Sequence, residues 1–465
     1  MVTRREFLAA GAAIAASTAY DVGAQGPANT KPNILFILAD DLGWGDLSCY
    51  GRPDFKTPVL DGLAARGIRL TQAYANSSTC SPTRVALITG RYQNRLPVGL
   101  YDPLTPGTPH GLPPEHPTLP SLLRSAGYTT ALVGKWHLGW PPAYGPLKSG
   151  YDEFFGLYGS NMTYFSHKSG RALAPPAGHA LYEGEQPVER EGYATDLFAE
   201  RAVEFIQRAH SKPFFLSLHF TAPHWPWEGP KDKARAHSIR EMFYYEGGSP
   251  GVFREMMQSL DSAVGRVLES LAASGRANDT VIVFTSDNGG ERYSYYWPFR
   301  GGKYYLWEGG IRVPAIVVFP RVLPAGRVVK QLAMSMDWLP TLLSAAGARP
   351  DPGNPPDGVN LLPVLLGQAP EFERNVYWRT QDMMAARSGD WKYVGSGNHE
   401  FLYNLAEDET ENANFKLKNV AVFERLKQAY EDWDRQMLPI PPEAKRGPPE
   451  TLTNRARALE HLKKK

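Results

Sequence analysis

The stretch Pro32-Asn33-Ile34-Leu35-Phe36-Ile37-Leu38-Ala39-Asp40-Asp41 is a short continuous apolar run that stops abruptly at two adjacent carboxylates. A run without alternation is the pattern of a strand buried on both faces, as in a parallel sheet covered by helices. Asp40 and Asp41, followed by Gly43 and Gly45, then form a tight loop that presents oxygen ligands to a cation. For a lone Asp-Asp pair, a solvated turn competes with that reading. The pattern recurs, however. Residues 129–133 deliver Lys135 and His137 in Gly134-Lys135-Trp136-His137-Leu138-Gly139. Residues 214–220 deliver His224 in Thr221-Ala222-Pro223-His224-Trp225-Pro226, and residues 280–285 deliver Asp287 and Asn288 ahead of Gly289 and Gly290. In open, mostly parallel α/β sheets, sites form beyond the carboxyl ends of the strands, so four such runs with polar tips describe one site. Leu260, Val264, Val267, Leu268 and Leu271, at helical spacing, belong to a crossover helix of the kind a parallel sheet requires.

Two further segments point to the same place. In Ser77-Ser78-Thr79-Cys80-Ser81-Pro82-Thr83-Arg84, Ser81 suits an N-cap, Pro82 the first helical position, and Val85, Leu87 and Ile88 the buried turns that follow. Cys80 is thus expected just ahead of a helix N-terminus, where unpaired N–H groups and the dipole favour an anion and Arg84 adds a cation. The competing reading is a buried or disulfide-bonded cysteine. Arg300-Gly301-Gly302-Lys303 and Trp307-Glu308-Gly309-Gly310 make a glycine loop whose functional residue is Lys303. His219 reads as a satisfied core histidine. Tyr293, Tyr295, Tyr296 and Trp297, with Trp225 and Trp227, either stack on a sugar or aryl ring or pack loops together.

At 465 residues and 42% apolar composition, the chain can hold one large domain and a smaller one. A formal charge of +2 gives no field that would recruit nucleic acid, and the tail Lys463-Lys464-Lys465 is solvated. Thr3-Arg4-Arg5-Glu6-Phe7-Leu8 ahead of a short Ala-rich run and Val22-Gly23-Ala24 looks like a twin-arginine export signal over residues 1–24. The apolar run ends near Tyr20, too short for a permanent membrane span. A periplasmic or secreted protein, passed to the twin-arginine translocase after folding, is expected. Cys49 and Cys80 are the only cysteines, so one disulfide is permitted.

After the linker 25–31, the main domain is expected over residues 32–355. A Pro- and Gly-rich passage near residues 351–356 marks its end. Residues 376–378, 383–387 and 391–394 read as short strands, Phe401-Leu402-Tyr403-Asn404-Leu405 as a late one, and residues 419–437 as a helix, within a C-terminal part 356–465. The fold class is α/β: a large mixed, mostly parallel sheet flanked by helices, with a smaller C-terminal α+β domain containing a short antiparallel sheet.

Cys80-Ser81-Pro82-Thr83-Arg84 with Thr89-Gly90-Arg91, the Asp40-Asp41 pair, Gly-Lys-Trp-His, Ala-Pro-His, Ser-Asp-Asn-Gly and Gly-Gly-Lys with Trp-Glu-Gly-Gly resemble the sulfatase family, in that family's order, over residues 32–320. The resemblance implies the alkaline phosphatase-like fold and oxidation of Cys80 to Cα-formylglycine by a formylglycine-generating enzyme. It implies one divalent cation held by Asp40, Asp41, modified Cys80, Asp287 and Asn288. These hard oxygen donors suit Ca²⁺ better than zinc. By the same resemblance, hydrated formylglycine attacks the sulfur of a sulfate monoester, while Arg84, Lys135 and Lys303 hold nucleophile and sulfate oxygens. His224 with Lys303 binds sulfate and assists the leaving oxygen, and His137 takes the proton of the second hydroxyl. Ser160 matches a family serine near the sulfate. A formylglycine-dependent phosphonate monoester or phosphodiester hydrolase is the alternative activity. A binding protein without catalysis, its two cysteines bridged, is the alternative of a different class.

Overall fold

Along the first strand, β1 (Asn33–Ala39), Leu35, Ile37 and Ala39 enter one apolar core, and Ile34, Phe36 and Leu38 enter another on the opposite face. Both faces are buried, which is why the run is continuous rather than alternating. In the computed structural model, which describes residues 31–105, 107–169, 180–236 and 248–444, this strand lies in the middle of an eleven-stranded sheet. The expected export signal lies outside the described residues.

In chain order the other strands of that sheet are β2 (Ile68–Tyr74), β3 (Thr129–Lys135), β4 (Glu153–Leu157), β5 (Tyr182–Glu183), β6 (Gln186–Pro187), β7 (Phe214–His219), β8 (Thr280–Ser286), β9 (Arg312–Val318), β10 (Arg327–Val329) and β11 (Ala333–Met334). Their spatial order is β10-β2-β9-β8-β1-β7-β3-β4-β5-β6, with β11 also on β2. The runs expected to end in chemistry are therefore four consecutive neighbours, β8-β1-β7-β3, all mutually parallel. Strand β9 is antiparallel to both β8 and β2, so its amino end meets their carboxyl ends.

The helices Pro58–Ala65, Ala194–Gln207 and Pro250–Ala273 cover one face. Cys80–Thr89, Leu119–Ser125 and Trp338–Ala345 cover the other. Four antiparallel strands, β12 (Asn375–Arg379), β13 (Met383–Ser388), β14 (Trp391–Ser396) and β15 (His399–Asn404), make a second sheet, packed with the helix Val420–Asp434 around a third core. The mostly parallel main sheet and the short antiparallel one are the expected architecture. No helix among the described residues is long and apolar enough to cross a membrane.

One local expectation is corrected. The helix begins at Cys80 itself, and the capping position is Thr79, in extended conformation and without a side-chain cap bond. Ser81 lies inside the first turn, and its hydroxyl accepts the Leu104 N–H at 2.7 Å, which ties the helix start to a loop over the site. The thiols of Cys49 and Cys80 are both free.

Candidate active site

Beyond the carboxyl ends of β8, β1, β7 and β3 lies a buried set of charges. Asp40 and Asp41 follow β1 directly. Asp41 takes a left-handed φ of 62°, uncommon for a residue other than glycine. Its N–H donates to Asp287 Oδ1 at 3.2 Å, and its carboxylate accepts from Asn288 Nδ2 at 2.8 Å and from Lys303 Nζ at 2.7 Å. Lys135, the last residue of β3, reaches Asp40 Oδ2 at 2.6 Å. Arg84 grips Asp287 Oδ2 with Nε at 3.0 Å and Nη2 at 2.8 Å, and donates from Nη1 to the Lys135 carbonyl at 3.1 Å.

Ligand atoms of Asp40, Asp41, Cys80 and His224 all lie within 4.8 Å of one another. The Cys80 Sγ is 3.9 Å from Asp41 Oδ1, and His224 Nε2 is 3.5 Å from Asp41 Oδ2. Segments distant in sequence thus converge on a space of a few ångströms, and all four groups are buried.

Three carboxylates and three cations cannot all be equally content in so little volume. Burial, together with the neighbouring Asp287, pushes Asp40 up to about 8 in spite of Lys135 and Arg84. Burial pushes Asp287 the same way, but Arg84 and Lys135 outweigh it and hold that carboxyl below the usual range. Burial drives the Cys80 thiol well above its ordinary value, so the thiol itself is a poor nucleophile.

The two histidines have defined roles at each nitrogen. His137 Nε2 lies 2.9 Å from the Leu104 carbonyl, which can only accept, so that nitrogen carries the proton. Its Nδ1 is buried without a partner and keeps its lone pair. Burial and Lys135 hold the ring neutral. His224 points Nδ1 at the Trp225 carbonyl, which leaves Nε2 facing Asp41. Burial and Lys303 lower its basicity as well.

The chain matches the family model described as sulfatase over residues 32–348. This chain belongs to the sulfatase family. It is 36% identical over 395 residues to N-acetylgalactosamine-6-sulfatase of Homo sapiens, covering 80% of this chain and 72% of that one. It is 34% identical over 414 residues to arylsulfatase A of Homo sapiens, covering 82% and 76%. Among solved structures, the crystal structure of Ps i-CgsB superposes with a TM-score of 0.78 at 30% identity, over 87% of this chain and 93% of that one. The sulfatase is accordingly a sulfuric ester hydrolase of alkaline phosphatase-like fold.

Of the residues the sequence singled out, Asp40, Asp41, Cys80, Arg84, Lys135, His224, Asp287, Asn288 and Lys303 are joined in one bonded or contacting network. His137 stands within the field of Lys135 and Arg84. Ser160, half-buried beyond β4, makes no hydrogen bond to that network. His219 is buried as expected, with Nδ1 3.1 Å from the Lys135 carbonyl, but it also lies 3.5 Å from Arg84 Nη1. It therefore backs the site rather than an inert core. The sequence reading missed the Leu104 carbonyl that fixes His137. It also missed Ser286, whose hydroxyl accepts the Leu42 N–H at 3.0 Å and steadies the aspartate loop.

Proposed function

We propose that this sulfatase hydrolyses aryl or carbohydrate sulfate monoesters through a formylglycine made from Cys80, with one Ca²⁺ held by Asp40, Asp41, residue 80, Asp287 and Asn288. The observation that carries the reading is a helix-initial, fully buried Cys80 whose thiol is deactivated while its position is surrounded by Arg84, Lys135, Lys303 and His224. A cation fits the donor set. Asp40 Oδ1 and Asn288 Oδ1 are buried with no hydrogen-bond partner, and oxygen donors dominate. When bound, the ion would neutralise crowded carboxylates and draw charge from a sulfate oxygen. The hydrated aldehyde would supply one hydroxyl to attack sulfur and a second through which sulfate is expelled.

The chain's own groups account for the rest. Arg84, Lys135 and Lys303, all buried, offer fixed positive charge to the sulfate oxygens. His137 takes a proton at Nδ1, the only ring nitrogen with a free lone pair. His224 presents Nε2 to the departing alcohol oxygen, with Lys303 beside it. Ser160, three residues beyond the carboxyl end of β4, remains a proposed substrate contact. Residues 32–355 are the catalytic domain in this reading and residues 356–465 the C-terminal subdomain and tail. Maturation requires a formylglycine-generating enzyme, and export would use residues 1–24 and the twin-arginine translocase.

Mass spectrometry of the peptide spanning residues 71–91 tests the central step. An aldehyde or its hydrate at residue 80 supports it, and an unmodified thiol in active protein would overturn it. Comparing turnover of an aryl sulfate with that of an aryl phosphonate tests the reaction class, with preference for the phosphonate sinking the sulfate reading.

A further inference from the structure

The segment between the Asp287-Asn288 tip and Lys303 is a loop closed at its base, where the Lys303 N–H donates to the Gly290 carbonyl at 2.9 Å. Its near flank is fixed by Asp46. That carboxylate accepts from the Ser294 hydroxyl, from the Tyr295 N–H at 2.7 Å and from the Gly43 N–H at 2.8 Å. Arg52 holds Asp46 at 2.7 Å and reaches the Tyr293 carbonyl at 3.3 Å. The far flank is fixed by Phe299, buried 4.4 Å beneath the Arg312 guanidinium and edge-on to Trp44 at 5.0 Å. Tyr296 lies 3.3 Å from where a Cβ on Gly302 would stand, directly beside Lys303.

Between these two anchored flanks, Trp297 is 68% exposed, and its indole has no hydrogen bond or ring contact among the described residues. A Trp on a mobile loop can hide its ring by moving. One carried on a fixed loop cannot, so the gain from covering that ring is left for a ligand. Arg300 flanks it, exposed, its guanidinium resting on Trp307 at 4.2 Å and its Nη1 donating to the Glu411 carbonyl at 3.1 Å.

We propose that Trp297 is a stacking platform for the sugar ring adjoining the sulfated one, so that the substrate class is a sulfated oligosaccharide or polysaccharide and not a small aryl sulfate. The apolar C–H face of a pyranose covers the indole. Arg300 meets a further sulfate or carboxylate group of the polymer, which an aryl sulfate, with its single anionic group already in the buried cluster, does not possess. This rests on the sulfate-ester reading above and narrows it.

The test compares the sulfatase with its Trp297→Ala and Trp297→Phe variants. Hydrolysis of a sulfated galactosaminoglycan hexasaccharide and of para-nitrophenyl sulfate is measured alongside calorimetric binding of the hexasaccharide. Trp297→Ala is expected to lower kcat/KM for the hexasaccharide about tenfold more than for the aryl sulfate, through KM, and Trp297→Phe to restore part of the difference. Equal losses on both substrates, or hexasaccharide binding indifferent to residue 297, would overturn the platform. If neither substrate turns over while hexasaccharide binding still depends on Trp297, the hydrolytic reading fails and the platform stands.

Discussion

Two of the buried clusters of charge among the described residues are built to opposite ends. The first is the site beyond β1. The second joins the two sheets, where Lys392 on β14 is held at 2.8 Å by both Glu308 and Glu411, with all three side chains inaccessible. Arg312 adds a contact to Glu308 at 3.3 Å, and Tyr74 links Glu308 to Arg387. In this second cluster the carboxylates close on a central ammonium, and it serves as a rivet between β2, β9 and the C-terminal sheet. In the first, Asn288 Oδ1 and His137 Nδ1 have no hydrogen-bond partner, and Asp40 Oδ1 has only the Arg84 guanidinium at 3.7 Å. Buried charge is costly in either place. What separates a rivet from a reaction site is whether the polar groups have already found their partners.

The largest effect should come from the unmatched cluster. Cys80→Ala is expected to lower sulfate-ester turnover by at least about 10⁴-fold with little change in the denaturation midpoint, read by aryl sulfate assay and urea unfolding. Cys80→Ser should release about one equivalent of alcohol and then stall, seen as a burst in rapid-quench kinetics, and steady rapid turnover by this variant would contradict the need for a second hydroxyl.

The matched cluster should respond in stability instead. Lys392→Met removes the ammonium shared by the two carboxylates, leaving Arg312 as the cation in contact with Glu308, and should destabilise the fold by about 3–5 kcal/mol in chemical denaturation, while activity per folded molecule stays within about twofold. An equally large loss of activity in the folded fraction would erase the distinction between the two clusters.

A smaller effect concerns pH. Burial and the nearby Glu308 push Glu411 up to about 7 despite Lys392, whereas Glu308 itself, though also raised by burial, is pulled down to about 2 by Lys392 and Arg312. Between its ordinary value of 4.5 and about 7, Glu411 keeps in the folded chain a proton that the unfolded chain has lost, so stability falls as pH rises through that window. Glu308 acts in the opposite sense, its contribution complete above 4.5 and lost as pH falls toward 2. Glu411→Gln keeps an acceptor for the Glu308 N–H and should flatten the slope between pH 5 and 7 by on the order of 1–2 kcal/mol, measured by urea titration at several pH values. An unchanged slope would show that another group titrates there.

The smallest change is expected at the back of the site. His219→Ala leaves the Lys135 carbonyl to Arg84 alone and opens one side of Arg84, and should reduce kcat about fivefold with KM held within twofold; His219→Asn, which retains a donor, should recover much of the loss. Parallel losses in both variants would assign His219 to packing alone.

The four central strands were legible because burial on both faces leaves an uninterrupted apolar run, and the abrupt polar tip of each then stands out. Strand β2 was not, since Ile68-Arg69-Leu70-Thr71-Gln72-Ala73-Tyr74 alternates at only some positions and pairs with the short edge strands β10 and β11. Ser81 misled for a related reason. The residue type favours a cap, but its hydroxyl is claimed by the Leu104 N–H across the chain, and no local pattern carries that information. The Glu308-Lys392-Glu411 cluster was likewise invisible, because its first bond spans 84 residues and none of its members sits in a motif that asks for the others. Local chemistry could be read off one segment at a time, whereas pairings made only by the tertiary fold could not.

The bond from Lys303 to Gly290 has a bearing on how such a protein can diversify. It seals the loop below Trp297 much as a clasp seals a bracelet, so residues at the tip can be exchanged without disturbing the lysine beneath. A substitution at residue 297, unlike one at Tyr296 beside Gly302, would then be inherited as a change of diet, with the reaction itself left intact.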